Sequence, residues 1–493
     1  MSEEKKPSVF GGFLRYFYGN FVVLILGLVS VPVITRIIST DEYGRSGMFT
    51  SVVTVIYIFA ILGMDQTYIR YYYKEGIDRV HLMKQCLYPA VSIVAVLAVI
   101  YAVLAEPFNL FLFGENGTDI VLLVISYTVI SVFERFLFLD IRMQQNGKLY
   151  SNLNILSKLL YIGLIFLSYV FLGDNFRVVL YAMTIPLGIV TTFIGVRYIM
   201  LCRRERGKGT TKPEGIVYPQ KELISYGLPF ILVLLMEWLL STCDRYAIRI
   251  WSGYDELGIY NSAMNIMSIL LTFKATFVAF WSPVAMEKYE TDQRENCAEF
   301  FRKAFDITQF LCVGAAFGLI LFRGVIVYLL GAKYRSAASI LPFLTLMPIF
   351  SIMFEITNQG IKFKKKNRYL NYASAVAILF NVAGNTLLVP KFGGVGAAIA
   401  TGITYMVYFA IGSLLAEKCY PVGYHFGKTA FYAVLLFFYA IFSTFTDHFW
   451  YSAGIGIVGI LFLCVIDFKV LKEIIGFLIE NISRLLRKQT SHS

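Results

Sequence analysis

The sequence is poor in charge, in histidine and in regularly spaced cysteine, and each shortage excludes a class of protein. Only 15% of the 493 residues are charged, whereas a soluble globular domain has roughly 25%. Seven cysteines and four histidines are scattered along the chain. No CxxC spacing indicates a disulfide framework or a metal site. We therefore expect an integral membrane protein that carries no cofactor.

Signatures of nucleotide and nucleic-acid binding are also lacking. The segment GKGTT at 207–211 has neither the spacing of a phosphate-binding loop nor a preceding strand, so an ATP site is excluded. The net charge is +12, but the basic residues do not lie in a soluble domain, which argues against nucleic acid as a partner. The excess of Lys and Arg instead indicates cytoplasmic loops.

What the sequence does contain is 57% hydrophobic residues, arranged in fourteen apolar segments long enough to span a membrane. With the N-terminus inside, 31 of the 44 Lys and Arg residues fall on the inner side, 9 on the outer side and four within spans. This bias predicts that both termini are cytoplasmic. The fold class predicted is an all-α integral membrane protein with about 14 transmembrane helices.

A motif occurs twice at a long interval. ITRIISTDEYG at 34–44 and AIRIWSGYDELG at 247–258 share an arginine, an isoleucine, two acidic residues and a glycine. Arg36 and Arg249 are 213 residues apart, an interval that six spans with their loops account for. Because six is even, both copies point the same way, which predicts a parallel repeat of two six-helix lobes around a central cavity.

The polar stretch at 202–222 separates the two halves, and the following domains are predicted. An N-terminal lobe takes 1–201, a cytoplasmic linker 202–222, a C-terminal lobe 223–416, two extra helices 417–468 and an amphipathic cytoplasmic tail 469–493. Pro32 and Pro229 lie in the first span of each lobe, and Pro342 and Pro348 in the tenth. Such prolines permit bending, although each could equally be a static kink.

Three segments resemble bacterial polysaccharide flippases of the multidrug/oligosaccharidyl-lipid/polysaccharide exporter superfamily: PVITRIISTDEYGRSGMF (32–49), DRYAIRIWSGYDELGIYNSAMNI (244–266) and NVAGNTLLVPKFGGVGAAIATGITY (381–405). The resemblance implies translocation of an undecaprenyl-(pyro)phosphate-linked oligosaccharide to the outer leaflet of the bacterial cytoplasmic membrane by alternating access. It also implies membrane lipids and other polysaccharide assembly proteins as partners. The last two spans are similar to those of fourteen-helix lipid II flippases.

An anionic lipid-linked sugar needs a wet cavity with positive groups, and ionisable residues inside spans usually face a cavity or a partner. The substrate-binding candidates are the cations Lys158, Lys274, Arg36, Arg249 and Arg135. Carboxylates with a coupling or structural role are Glu237, Glu134, Glu355 and Asp244. Lys158 and Lys274 are the first choices, because neither has an acidic residue one turn away. The alternative for each lysine is a buried ion pair, for example that of Lys274 with Glu237.

Arg36 and Arg249 admit two interpretations. Each stands near a helix C-terminus, where it complements the dipole, and the acidic residues that follow could hold it as an architectural clasp. Each could instead contact phosphate at an outer gate. The resemblance favours the second role for Arg36, because the corresponding arginine lies at the cavity in related lipid II flippases.

Two other functions are compatible with the sequence. A drug/cation antiporter of the same fold would use an embedded carboxylate, for which Glu134, Glu237 and Glu355 are available. A membrane polysaccharide polymerase or ligase would use a large outer loop with acid and base residues. Every predicted outer loop is short, so an enzyme is the weaker alternative.

Overall fold

The computed structural model describes residues 9–207, 216–291, 293–446, 448–476 and 479. In this part of the chain the backbone is almost entirely helical, with an isolated bridge between Ile77 and Ile216. The helices are α1 Val9–Ile37, α2 Thr40–Ile61, α3 Met64–Tyr71, α4 Arg79–Val103, α5 Ala105–Phe113, α6 Thr118–Met143, α7 Gly147–Leu172, α8 Arg177–Gly207, α9 Gln220–Trp251, α10 Tyr254–Thr291, α11 Arg294–Leu321, α12 Arg323–Tyr328, α13 Ala337–Thr357, α14 Gln359–Phe363, α15 Arg368–Cys419, α16 Phe426–Phe445 and α17 Phe449–Ile466. A 3-10 turn, Ala332–Tyr334, precedes α13, and α18, Phe468–Gly476, follows α17 after a bend of 82°.

Within the described residues, eleven helices are long and apolar enough to cross a membrane, or twelve if α17 and α18 form one span. The 52-residue α15 is broken by the non-helical backbone of Gly393, between the predicted spans 371–389 and 395–416. It therefore covers two predicted spans, and α1, whose described apolar part is the shorter Val22–Ile37, covers the first. This accounts for the fourteen predicted spans and confirms the all-α membrane fold.

The chain packs as two compact units. The first extends to Ser262 and adds Leu330–Tyr334, and the second takes Ala263–Leu329 and the residues from Arg335 onward. The lobe boundaries expected from the sequence remain a prediction. Residues 208–215 of the expected linker, and the expected amphipathic tail beyond 476 except residue 479, lie outside the described residues.

The first unit is organised around α2, which ends in a tight turn. Leu62 and Gly63 both have positive φ angles, of 50° and 66°, and this reverses the chain into α3. A Cβ atom on Gly227 of α9 would lie 2.7 Å from the carbonyl oxygen of Leu62, so both glycines are needed for α3 and α9 to approach. The aromatic core beneath includes Tyr68, Tyr72 and Phe136.

The second unit is organised around α13, whose side chains are buried on nearly every face. Pro342 and Pro348 lie inside this helix without interrupting it. Its neighbour α15 approaches through small residues: a Cβ atom on Gly402 would lie 2.9 Å from the Phe343 carbonyl oxygen, and Ser413 hydrogen-bonds Thr357 at 2.7 Å. Helix α13 is therefore a central span rather than a lipid-facing one.

The two C-terminal spans are tied to each other at their predicted cytoplasmic ends. Asp467, at the bend between α17 and α18, is 4% exposed and forms an ion pair with Lys428 of α16. The Tyr432 hydroxyl donates to the same carboxylate at 2.7 Å. These contacts join the end of α17 to the start of α16.

Candidate functional site

The repeated motif forms equivalent helix starts that pack against each other inside the first unit. One copy begins α2 and the other begins α10, so that Gly44 corresponds to Gly258 and Gly47 to Asn261. A Cβ atom on Gly44 would lie 3.0 Å from the Gly258 nitrogen, and one on Gly258 would lie 3.1 Å from the Gly44 nitrogen. Any side chain larger than hydrogen would push the two backbones apart. We call this contact the glycine crossing.

Polar contacts hold the same region together. The Thr40 hydroxyl donates to Asp255 at 2.6 Å, joining the two helix starts directly. Glu42 accepts from the Phe176 backbone nitrogen at 2.6 Å. Two of the acidic residues that could hold Arg36 and Arg249, Asp255 and Glu42, therefore have other partners.

The end of α1 is clasped by a distant segment of the same unit. Tyr334 donates to the carbonyl oxygens of Ile38 and Ser39 at 3.0 and 2.9 Å. Burial raises the pKa of the Tyr334 hydroxyl, so it remains a donor at physiological pH. Arg36, one turn earlier, is exposed and forms no ion pair among the described residues.

Arg249 and Arg45 flank one aromatic ring. Their guanidinium carbons lie 4.0 and 4.8 Å from the centre of the Tyr254 ring, which is cation–π geometry. Arg45 also pairs with Asp41 at 2.8 Å, whereas the Nε atom of Arg249 is buried without an acceptor. Arg249 is thus held by an aromatic face rather than by the carboxylates that follow it.

Lys158 is a half-buried cation near the middle of α7. Its Nζ atom lies 4.6 Å from the centre of the Tyr161 ring. In the described part of the chain no carboxylate lies within 4.0 Å of it. Lys158 is therefore a cation without a carboxylate partner among the described residues, and its binding of an anionic ligand remains a prediction.

Lys274 differs, because the structure gives it a carboxylate partner. Its Nζ atom lies 3.1 Å from Glu355, and Lys362 approaches the same carboxylate at 3.6 Å. Asn358 donates to Glu355 at 3.1 Å. Two lysines share one carboxylate, so this cluster, which lies in the second unit, keeps one excess positive charge. Whether it binds substrate remains a prediction.

Arg135 is engaged by a buried carboxylate. Two of its guanidinium nitrogens donate to one Asp65 oxygen at 2.6 and 3.1 Å, and Asp65 is 3% exposed. The neighbouring Glu134 is half-buried and has no hydrogen-bond or ion-pair partner among the described side chains. Arg135 is therefore paired with a carboxylate whereas Glu134 is not, and the substrate-binding or coupling roles of both remain predictions.

The two remaining candidate carboxylates, Asp244 and Glu237, differ in how far they are buried. Asp244 is 1% exposed and accepts the Tyr260 hydroxyl at 2.5 Å, which makes it part of the packing beneath the glycine crossing. Glu237 of α9 is exposed. Within the described residues, no group of three or more His, Cys, Asp or Glu side chains could hold a metal ion.

Two polar residues of the first unit lie close to the glycine crossing and are not among the predicted site residues. Arg245 of α9 donates to the Thr50 hydroxyl at 2.9 Å, and Asn261 of α10 lies against Gly47. Arg245 stands next to Asp244 in the sequence, and adjacent residues of a helix point in different directions, so the sequence gives no reason to join them in one site. The signal that could have identified Asn261 is the repeat itself, which pairs it with Gly47.

The aromatic segment 70–76 forms a second contact region, at the opposite end of α2. The Tyr71 hydroxyl donates to Glu222 at 2.7 Å, and the Lys74 ammonium lies 4.1 and 4.4 Å from the ring centres of Tyr71 and Tyr218. Burial and the hydrogen bond to Glu222 raise the pKa of Tyr71 to about 12. The segment anchors the start of α9 to α3, in addition to any interfacial role.

Comparison with known proteins places these features in context. Residues 10–288 match the family described as polysaccharide biosynthesis protein. A probable low-salt glycan biosynthesis flippase of Haloferax volcanii is 18% identical over 395 residues, covering 80% of both chains. An uncharacterized membrane protein of Methanocaldococcus jannaschii is 29% identical over 203 residues, and that match spans only 39% of either chain. The structure of a lipid II flippase in an inward closed conformation superposes with a TM-score of 0.66 at 16% identity, over 93% of this chain and 99% of the other.

Proposed function

The chain belongs to the polysaccharide biosynthesis protein family, as its sequence predicted, and on that premise we propose that it flips a lipid-linked oligosaccharide across the cytoplasmic membrane. The substrate is a polyprenyl phosphate or pyrophosphate bearing a short glycan, which moves from the inner to the outer leaflet by alternating access. The undecaprenyl carrier and a bacterial host remain predictions from the resemblance, because the relatives described above are archaeal.

The observation that carries this proposal is the uncompensated Lys158 of α7. An ammonium group inside a span is costly unless a counter-charge or water reaches it, and its described neighbours supply only an aromatic face. A phosphate group would complete it. The tyrosine ring beside it offers a flat apolar surface of the kind that packs against a sugar ring.

A groove on the C-terminal spans supports the lipid part of the substrate. It has a volume of about 530 Å³ and is lined by apolar residues of α16 and α17, including Phe431, Val434, Leu435, Phe438 and Ile455. Polyprenyl carbons would be held there by van der Waals packing, because the surrounding lipid tails are as apolar as the groove. The groove thus suits an isoprenoid chain.

The first experiment locates the substrate in cells that lack the gene. Complete lipid-linked units should accumulate on the inner face of the membrane, because assembly continues while translocation stops. Accumulation of unpolymerised units on the outer face would identify a polymerase or ligase instead, and normal distribution would contradict the proposal.

The second experiment uses purified protein in vesicles with a fluorescent short-chain polyprenyl-diphosphate disaccharide. A membrane-impermeant quencher should reach all of the probe when the protein is present and about half without it. Empty vesicles are the control. Failure of the protein to accelerate this exchange would contradict the proposal.

An antiporter remains the second candidate, favoured by the unpartnered carboxylate of Glu134. It would move organic cations in exchange for protons through the same fold. Uptake of a fluorescent cation driven by a pH gradient, and abolished by Glu134→Gln, would support it. The flippase proposal requires no such uptake.

A further inference from the structure

Arg245 and Asn261 contact the same face of α2, just below the glycine crossing. Asn261 packs against Gly47, and the Nη1 atom of Arg245 donates to the hydroxyls of Thr50 and Ser51 at 2.9 and 3.5 Å. Gly47, Thr50 and Ser51 are spaced three and four residues apart and so share one side of the helix. The guanidinium and the amide are therefore neighbours about one helical turn apart.

Arg245 lacks a directly bonded counter-charge. Its hydrogen bonds go to neutral hydroxyls, no carboxylate within the described residues forms an ion pair with it, and its Nε atom is buried without an acceptor. The Asp244 carboxylate attracts it electrostatically, but that carboxylate accepts the Tyr260 hydroxyl and forms no ion pair with Arg245. A guanidinium offers a planar fork of donors that matches phosphate oxygens.

Asn261 is more completely unsatisfied. The residue is 3% exposed, and neither its amide nitrogen nor its amide oxygen has a hydrogen-bond partner. Buried polar groups without partners are rare in folded proteins, because each loses its bonds to water without replacement. The Asn261 amide would therefore be stabilised in any conformation that brings a hydrogen-bonding group to it.

We propose that Arg245 and Asn261 form a phosphate-binding pair that is covered while α2 and α10 are packed at the glycine crossing. Separation of the two helices exposes the pair, and the phosphate of the substrate then holds the helices apart. This inference rests on the proposed function, to which it adds a link between substrate binding and opening. Because only the separated form offers the donors, the ligand must shift the population toward it.

The test measures the fraction of molecules in which α2 and α10 are packed against each other at the glycine crossing. In full-length protein whose native cysteines are replaced by serine or alanine, Thr40→Cys and Asp255→Cys place thiols where the side chains now touch at 2.6 Å. The rate of disulfide formation under mild oxidation reports the packed form. Inorganic pyrophosphate, the probe, should slow it by about tenfold at saturation, the factor expected for one charge-assisted hydrogen bond.

In this background Arg245→Gln should abolish the effect of pyrophosphate. Arg245→Lys keeps the positive charge but loses the planar guanidinium donors, so pyrophosphate should slow disulfide formation less than in the parent. This variant replaces Arg245→Gln if the glutamine protein does not fold. Asn261→Ala should reduce the response while leaving the protein able to form the disulfide. The matched control is Arg70→Gln, which removes an exposed charge at the end of α3 and should respond like the parent.

An equal response to pyrophosphate in the parent and in Arg245→Gln, or no response in the parent, would overturn the inference. Neither outcome depends on translocation. If the vesicles show no flipping but pyrophosphate acts through Arg245, the site stands and the lipid substrate is wrong. If flipping occurs while Arg245→Gln behaves like the parent in both assays, only this inference fails.

Discussion

Gly44 and Gly258 are equivalent residues of an internal repeat, and in the folded chain they lie against each other. A Cβ atom on either would come within 3.0 or 3.1 Å of the other's backbone nitrogen, and would overlap the carbonyl oxygen of Tyr254 or Thr40. The two copies of the repeated motif therefore pack directly against each other, and each contributes a glycine that lets the other backbone approach.

Alanine at either glycine should weaken the crossing. Because the added methyl group must displace backbone atoms, Gly44→Ala and Gly258→Ala should each cost about 1–3 kcal/mol of the packed form. Thermal unfolding in detergent measures the loss. Gly163→Ala in α7, where nothing lies within 4 Å, is the control and should be neutral or slightly stabilising. Full stability of both crossing variants would mean that the helices do not approach this closely.

Removing the charge at Lys158 should impair transport without lowering stability. The ammonium has no ion pair to lose, whereas a phosphate ligand would lose a charge-assisted hydrogen bond of about 1.5–3 kcal/mol. Flipping by Lys158→Met should fall roughly ten- to a hundredfold at an unchanged unfolding temperature, and Lys158→Arg should retain most activity. Lys148→Met, an exposed lysine at the start of the same helix, should have no effect. Equal losses in both methionine variants would point to a general charge effect.

In contrast to Lys158, the Lys274–Glu355–Lys362 cluster should contribute to the stability of the fold. Glu355→Gln leaves two ammonium groups facing each other in a partly buried site, so it should lower the free energy of unfolding by about 1–3 kcal/mol. Lys274→Met should cost less in the Glu355→Gln background than in the parent. A double-mutant cycle by chemical denaturation measures this coupling. Additive effects would show that the observed 3.1 Å pair contributes nothing.

We expect Arg135 to stabilise the fold rather than to bind the substrate. Asp65→Asn removes the carboxylate that receives two guanidinium bonds, and Arg135→Lys cannot make both, so each should lower thermal stability. The loss should be about 1–3 kcal/mol, since the arginine is partly exposed. Transport per folded molecule should change little. A fully stable Arg135→Lys protein with no transport would instead assign Arg135 to the substrate.

Translocation should depend on the membrane potential. An anionic head group leaving a negative interior gains about 2.3 kcal/mol for each charge and each 100 mV, so collapsing the potential should slow export. Vesicles clamped in pH and depolarised with an ionophore provide the measurement. The same rate with and without the potential would exclude this source of energy, and co-transported cations would reduce the effect in proportion to their charge.

The sequence by itself determined the class of protein, the number of spans and the family. These follow from local properties: apolar runs of about 20 residues must lie in a membrane, and Gly393 separates two such runs in α15 even though the helix is otherwise continuous. It also identified the repeated motif and placed Lys158, without an acidic neighbour, inside a span.

Only the tertiary structure decided which charges are compensated. Lys274 and Glu355 lie on helices far apart in sequence, as do Arg135 and Asp65, and their pairing depends on which helix faces meet. The sequence left open whether the acidic residues after Arg36 hold it, and in the structure they bond to Arg45 and to the start of α8. Helical periodicity gives the face on which a side chain lies. The partner across that face is set by packing between helices, which no local pattern specifies.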